Sequence, residues 1–215
     1  MMVIKNKGSF AATIIGMVAV SCGAALGYVG VMRYASMDRS SGYRPSARLE
    51  PGPELALIYI GSASCGASNR EALPGHVEKA KLAVQEAARR SGMRFVAVGV
   101  ARDLRVEAGL QHLHKFGRFD EVMTGRGWMN IGALKYIYED HPGLAATPQL
   151  LVLERVVHFG KEGTSIANER VLARKVGTSE IETWVRRGAA FPSASATLRS
   201  EPGFKESAGK TDAVR

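Results

Sequence analysis

From residue 54 onward the chain alternates short apolar runs with stretches of helical spacing. Leu55 to Ile60 reads Leu-Ala-Leu-Ile-Tyr-Ile, a continuous apolar run that predicts a strand buried on both faces. Residues 71–90 set Leu73, Val77, Ala80, Leu82, Val84 and Ala87–Ala88 among charges, the period of a helix, and Ser91-Gly92 stops it. Pro74 falls in the first turns of that stretch, where it starts the main helix or kinks it. Arg94 to Ala101 is a second buried strand, and a strand–helix–strand order of this length implies a parallel pair with a right-handed crossover. A second helix is expected over 106–116, closed by Gly117, then a short edge strand over 119–124 and a third helix over 129–139. After Thr147-Pro148, the runs 149–154 and 155–159 read as the two arms of an antiparallel hairpin. A final amphipathic helix spans 179–187, capped by Ser179 or Thr178 and stopped by Gly188.

Ahead of this domain, residues 10–32 are an uncharged run of Ala, Val, Ile, Gly, Met and Leu, long enough for a bilayer, which needs about 20 residues. The expected organisation is a basic segment 1–9, a transmembrane anchor 10–32, a Ser-, Arg-, Gly- and Pro-rich linker 33–53, one domain over 54–188, and a tail 189–215 whose Ser, Ala, Gly, Lys and Glu predict disorder. Arginines follow the apolar run as well as lysines preceding it, so the charge rule alone does not orient it. A short basic start before an apolar run is how an export signal begins, which favours the domain on the outer side of a cytoplasmic membrane, in the periplasm or an equivalent space. Two alternatives stand beside the anchor: a cleaved signal peptide, and lipidation of Cys22 at the loose box Ala19-Val20-Ser21-Cys22.

The formal net charge of +9 is spread along the chain, with no dense basic block interleaved with aromatics. It reads as a solvated surface beside an anionic bilayer, not a nucleic-acid site. The two cysteines, Cys22 and Cys65, lie in regions of different type. Neither a disulfide scaffold nor a cysteine-rich metal site is available to such a chain.

Candidate chemistry concentrates at Cys65. It follows the first strand through the small-residue turn Gly61-Ser62-Ala63-Ser64, and a long helix is expected to begin near Asn69. The unpaired N–H groups and positive dipole end of that helix would favour a thiolate. The order strand, cysteine turn, helix, strand, helix, Thr-Pro, strand, strand, helix resembles the thioredoxin fold, with Cys65-Gly66-Ala67-Ser68 where dithiol members carry Cys-x-x-Cys. Val98-Gly99-Val100-Ala101-Arg102-Asp103, followed by Glu107-Ala108, and Arg155-Val156-Val157-His158 look like the alkyl-hydroperoxide-reductase and membrane-anchored thioredoxin-like branch. The fold class so implied is α/β, a central mixed sheet flanked by helices, with an N-terminal transmembrane helix. The resemblance implies that Thr147 and a cis Pro148 form a substrate ledge beside the cysteine.

The departures from the family decide the expected chemistry. Ser68 replaces the resolving cysteine, and Tyr59 stands where dithiol members keep a buried carboxylate. A lone thiol cannot close an internal disulfide, so a mixed disulfide must be resolved by an outside thiol. The first expectation is therefore a membrane-tethered monothiol protein in thiol–disulfide exchange on exported partners. Cys65 would be its nucleophile and Ser68, Thr147 and Pro148 its substrate-binding residues. The alternative is a non-catalytic partner-binding component of a membrane assembly that uses the same groove. A third is a thiol peroxidase, with Ser62 three residues before Cys65 and Arg126 or Arg155 as its arginine, though Ile58 stands where the peroxiredoxin motif has Pro. The partners expected are protein thiols or disulfides. No metal and no cofactor is expected, because the copper site of some relatives needs two thiolates. His112 and His114, two apart on a helix, are read as surface residues, and Trp128 and Trp184 as core.

Overall fold

The computed structural model describes residues 42–46 and 50–192. Strand β1 (Gly52–Gly61) is followed by a 3₁₀ turn (Ala67–Asn69), helix α1 (Leu73–Arg90), strand β2 (Arg94–Ala101), helix α2 (Val106–His114) and strand β3 (Glu121–Thr124). A second 3₁₀ turn (Gly127–Met129) leads into a short helix α3 (Ile131–Ala133), which runs on as a π turn (Leu134–Tyr138). Strands β4 (Gln149–Gly160) and β5 (Gly163–Val176) and helix α4 (Thr178–Arg186) complete the domain. The sheet order is β3-β2-β1-β4-β5. Strands β1, β2 and β3 run parallel, and β4 and β5 are antiparallel additions. This mixed α/β arrangement, a five-stranded sheet with helices on both faces, is consistent with a thioredoxin-like fold.

Strand β1 is central, which is why its sequence is apolar without alternation. Successive side chains point to opposite faces. Leu55, Leu57 and Tyr59 join Val77, Ala80 and Val84 of α1, Leu113 of α2, Phe116 just beyond it, and Ile181 and Trp184 of α4. Ala56, Ile58 and Ile60 join Val96, Val98 and Val100 of β2 and Ala133, Tyr136 and Ile137 on the other face. Each fully buried Leu or Ile contributes about 1.5–3 kcal/mol relative to an exposed one. The strand that delivers the cysteine is therefore the best anchored element of the sheet.

The structure corrects four sequence expectations. First, no continuous helix begins near Asn69: after the 3₁₀ turn, Arg70 is extended (φ −64°, ψ 134°) and α1 starts at Leu73. Pro74 explains this, since in a longer helix its ring would meet the carbonyl of Arg70, whereas in the first turn it is tolerated. Second, the helix over 129–139 is broken into a 3₁₀ turn, three α residues and a π turn. Third, 149–154 and 155–159 are not two arms of a hairpin but one strand, and its partner is β5. Glu154 and Arg155 do not end the strand, because Arg155 Nε donates to Glu54 Oε1 at 2.5 Å and Glu154 accepts from Arg170 at 2.6 Å. Fourth, His112 is buried, at 1% exposure.

Within the stretch read as linker, residues 42–46 lie on the domain. Tyr43 is buried, its hydroxyl donates to Asp120 Oδ2 at 2.5 Å, and its ring meets Phe95 edge-on. The anchor expected over 10–32, Cys22 and most of the tail lie outside the described residues. Among the described residues, no helix is long and apolar enough to cross a membrane.

Candidate active site

Strand β1 ends at Gly61, and the turn after it is held from three sides. Asp103, at the end of β2, accepts from Ser62 Oγ at 3.0 Å and from the amide of Ala63 at 3.1 Å. Asn69 Nδ2 donates to the carbonyls of Ala63 and Cys65, both at 2.8 Å, while Lys115 Nζ donates to Asn69 Oδ1 at 3.0 Å. Thr178, opening α4, donates to the carbonyl of Ala67 at 3.0 Å. Each fixes backbone that a small-residue turn would leave loose. Cys65 is thereby presented half-buried, and it is a free thiol.

The Thr147–Pro148 peptide is cis, and Pro148 is buried. Cys65 Sγ donates to the carbonyl of Thr147 at 3.3 Å, across 82 positions of chain. Cys65, Ser68, Thr147 and Pro148 thus come together at one end of the sheet. Burial pushes the Cys65 thiol up, but hydrogen bonds from Thr147, the Ser68 hydroxyl and the amides of Ser68 and Ala67 outweigh it, and the net shift is below the ordinary thiol value. These groups belong to Thr147 and the 3₁₀ turn, not to α1, so the expected source of activation, the N-terminus of a long helix, is replaced by a local one. Protonated, the sulfur donates to Thr147; ionised, it receives the turn's donors.

Beneath the turn lies a polar pair that sequence reading missed. Tyr59, fully buried, has its hydroxyl 3.0 Å from His112 Nε2, and the Tyr59 ring packs on Phe116. Burial, with smaller contributions from Cys65 and Asp103, raises the Tyr59 phenol well above its ordinary value, against a lowering by Ser68. Burial first, then Lys115, lowers His112 to about 4, against Asp103. Both groups are therefore neutral near pH 7. The backbone runs so close above them that a Cβ on Gly61 would sit 2.2 Å from the Tyr59 hydroxyl and 2.7 Å from His112 Nε2. Ser68 is fully buried, and its hydroxyl lies between the sulfur and this pair. No sequence signal marked His112, because only α2's packing decides which of two histidines two apart turns inward. Asp103 was visible only as part of a family-like string.

Of the residues of the peroxidase expectation, Ser62 and Arg155 are engaged away from the sulfur, while Arg126 lines a cavity that Ser64 also borders. Ser62 Oγ is turned to Asp103 and to Ser64 Oγ, at 2.9 Å. Arg155 is held by Glu54 and Glu121, opposite the start of β1, while Cys65 follows its end. Trp128 packs against the core yet stays partly exposed, with the Arg102 guanidinium 4.2 Å from its ring centroid. Trp184 is core, its Nε1 donating to the carbonyl of Ala190 at 2.7 Å. A larger cavity of about 950 Å³ borders Tyr43, Phe95 and Asp120 at the opposite end of the parallel strands and holds no thiol.

No family model matches the chain, and no curated protein matches it. Among solved structures, the chain is similar to yeast Sco1 in its copper-bound crystal form, at 16% identity over 62% of this chain and 74% of that one, with a TM-score of 0.31. A score of that size carries no argument about this protein. The strand order, the strand directions and the contact between Cys65 and the loop of the cis proline are consistent with a thioredoxin-like fold.

Proposed function

We propose that the chain is a membrane-tethered monothiol protein of thioredoxin-like fold that takes part in thiol–disulfide exchange on exported partners. Residues 10–32 would anchor it, with the domain on the outer side of the cytoplasmic membrane. The observation that supports this reading best is a half-exposed thiol, biased towards thiolate, beside the Thr147 carbonyl. The Cys65 thiolate attacks one sulfur of a partner disulfide. The Cys65–partner S–S bond forms, the partner's own S–S bond breaks, and the departing sulfur leaves with the electron pair and takes a proton. With Ser68 in place of a second thiol, an outside thiol must attack the mixed disulfide. It forms a disulfide with the partner and returns Cys65 as thiolate. Thr147 and Ser68 position the incoming sulfur, and the Tyr59–His112 pair beneath supplies no charge at neutral pH.

The test is the rate of alkylation of the full-length Cys22→Ser chain as pH is raised. An apparent pKa for Cys65 below the ordinary thiol value of about 8.5 is expected. A value at or above it would leave partner binding without thiol chemistry as the better account.

A further inference from the structure

Beside the cysteine turn lies a cavity of about 600 Å³ whose lining includes Ser64, Arg102, Leu104, Arg105, Arg126 and Trp128. Its walls are tied together through the backbone. The amide of Arg126 donates to the carbonyl of Leu104 at 3.3 Å, and that of Gly127 to the carbonyl of Asp103 at 3.1 Å. Arg126 itself is left-handed, at φ +64°, between two glycines of positive φ, so it is held where a flexible loop would not keep it. The Arg102 guanidinium is stacked over Trp128, and its buried Nε has no partner. Arg102, Arg105 and Arg126 line the cavity together with one carboxylate, Asp103, which is already engaged by Ser62 and Ala63; at the exposed rim Arg105 Nε lies 3.9 Å from Glu107 Oε2. Around the positive charge, Leu104 is 83% exposed and Met129 61%.

We infer that this cavity is a specificity site for the partner, binding an acidic, apolar-flanked segment a few residues from the disulfide that Cys65 attacks. The inference rests on the thiol-exchange reading and names the substrate class for the same site. Ser64 is the neighbour of Cys65 in the chain and also lines the cavity, so the cavity lies next to the residue that carries the sulfur. An extended peptide advances about 3.3 Å per residue, which puts residues two or three along from the bound cysteine over the arginines. Guanidinium forks match carboxylates in geometry and charge, while Leu104, Met129 and the Trp128 ring accept an apolar side chain. Concavity favours a peptide over a bilayer surface, which would meet a convex apolar face rather than arginines lining a hollow.

The experiment uses the full-length Cys22→Ser chain in neutral detergent and short peptides activated as 2-thiopyridyl disulfides. They carry Cys-Leu-Glu-Glu, Cys-Leu-Gln-Gln or Cys-Leu-Lys-Lys. Attack by Cys65 joins it to the peptide sulfur and releases thiopyridone, whose absorbance gives the rate. At low salt the acidic peptide should react about tenfold faster than the basic one, the size expected of two weak exposed ion pairs together. The ratio should fall towards one at high salt and in Arg102→Gln/Arg126→Gln, and Arg126→Lys should keep part of it. Equal rates for the three peptides in the wild-type chain would overturn the inference. If none of them reacts, the thiol reading fails instead, and the site is then judged by anisotropy of Ser-Leu-Glu-Glu and Ser-Leu-Lys-Lys peptides on the Cys65→Ser chain. Preference for the acidic peptide sustains the site, and none refutes it. A Trp128 emission shift between phosphatidylcholine and phosphatidylglycerol nanodiscs in a Trp184→Phe chain, without peptide discrimination, would assign the arginines to the bilayer and also overturn it.

Discussion

His112 offers a quantitative check on the packing beneath the cysteine. Its imidazole is 1% exposed, with Nε2 facing the Tyr59 hydroxyl and Nδ1 lacking any partner. Protonation therefore puts a positive charge into an apolar layer with no acceptor for the new N–H. Burial first, and Lys115 next, lower its pKa from 6.5 to about 4, against a smaller opposing contribution from Asp103. Between those two values the unfolded chain binds the proton more tightly than the folded one. Stability is thus fully present above about pH 6.5 and drains away as pH falls towards about 4. At about 1.4 kcal/mol per pH unit, the ceiling on this one group's effect is about 3 kcal/mol. Carboxylates titrate in part of the same window, so the informative quantity is a difference between two proteins. Urea unfolding of the full-length chain, followed by tryptophan fluorescence at a series of pH values, should show a stability loss in the wild type that His112→Gln lacks. Gln keeps a polar group near Tyr59 but has no proton to bind. Identical pH slopes for the two proteins would refute the placement of His112 against Tyr59.

The ion pairs and the cysteine turn give two further expected outcomes. Glu54→Gln removes the charge that Arg94 and the 1%-exposed Arg155 share, and should cost about 3 kcal/mol or more in urea unfolding, because a buried cation loses its main partner. The double variant Glu54→Gln/Arg155→Met should recover much of that loss; if it does not, the pair is not what the single change breaks. Ser68→Ala takes away one of the donors that lower the Cys65 pKa, so the midpoint of the alkylation profile should move up while the urea midpoint changes little. An unmoved alkylation midpoint would remove Ser68 from the site.

The buried strands were legible from composition, because β1 and β2 are covered on both faces and a strand so placed must be apolar throughout. The turn carrying Cys65 and the Thr147-Pro148 loop were legible too, as a cysteine among small residues after one strand and a proline just before another. Strand β5 was not. It is an edge strand in which only Leu172 is buried, so no apolar alternation advertises Gly163–Val176. Nor was the continuity of β4, since Arg155 looks like a strand end until Glu54, 101 residues earlier, is brought across from it. Local chemistry also misled at Asn69, where Pro74 five residues on resets the helix and moves the thiolate's support into a 3₁₀ turn.

What the chain determines by itself is therefore what short-range physics controls: which runs must be buried, where a proline or glycine stops an element, and that a single thiol sits after the first strand. Tertiary structure alone decided which histidine turns inward, that Ser62 faces Asp103 and not the sulfur, and that arginines from two separate loops line one hollow beside Ser64. Those outcomes depend on side chains tens of residues apart, whose meeting is set by the packing of the sheet and not by any local pattern.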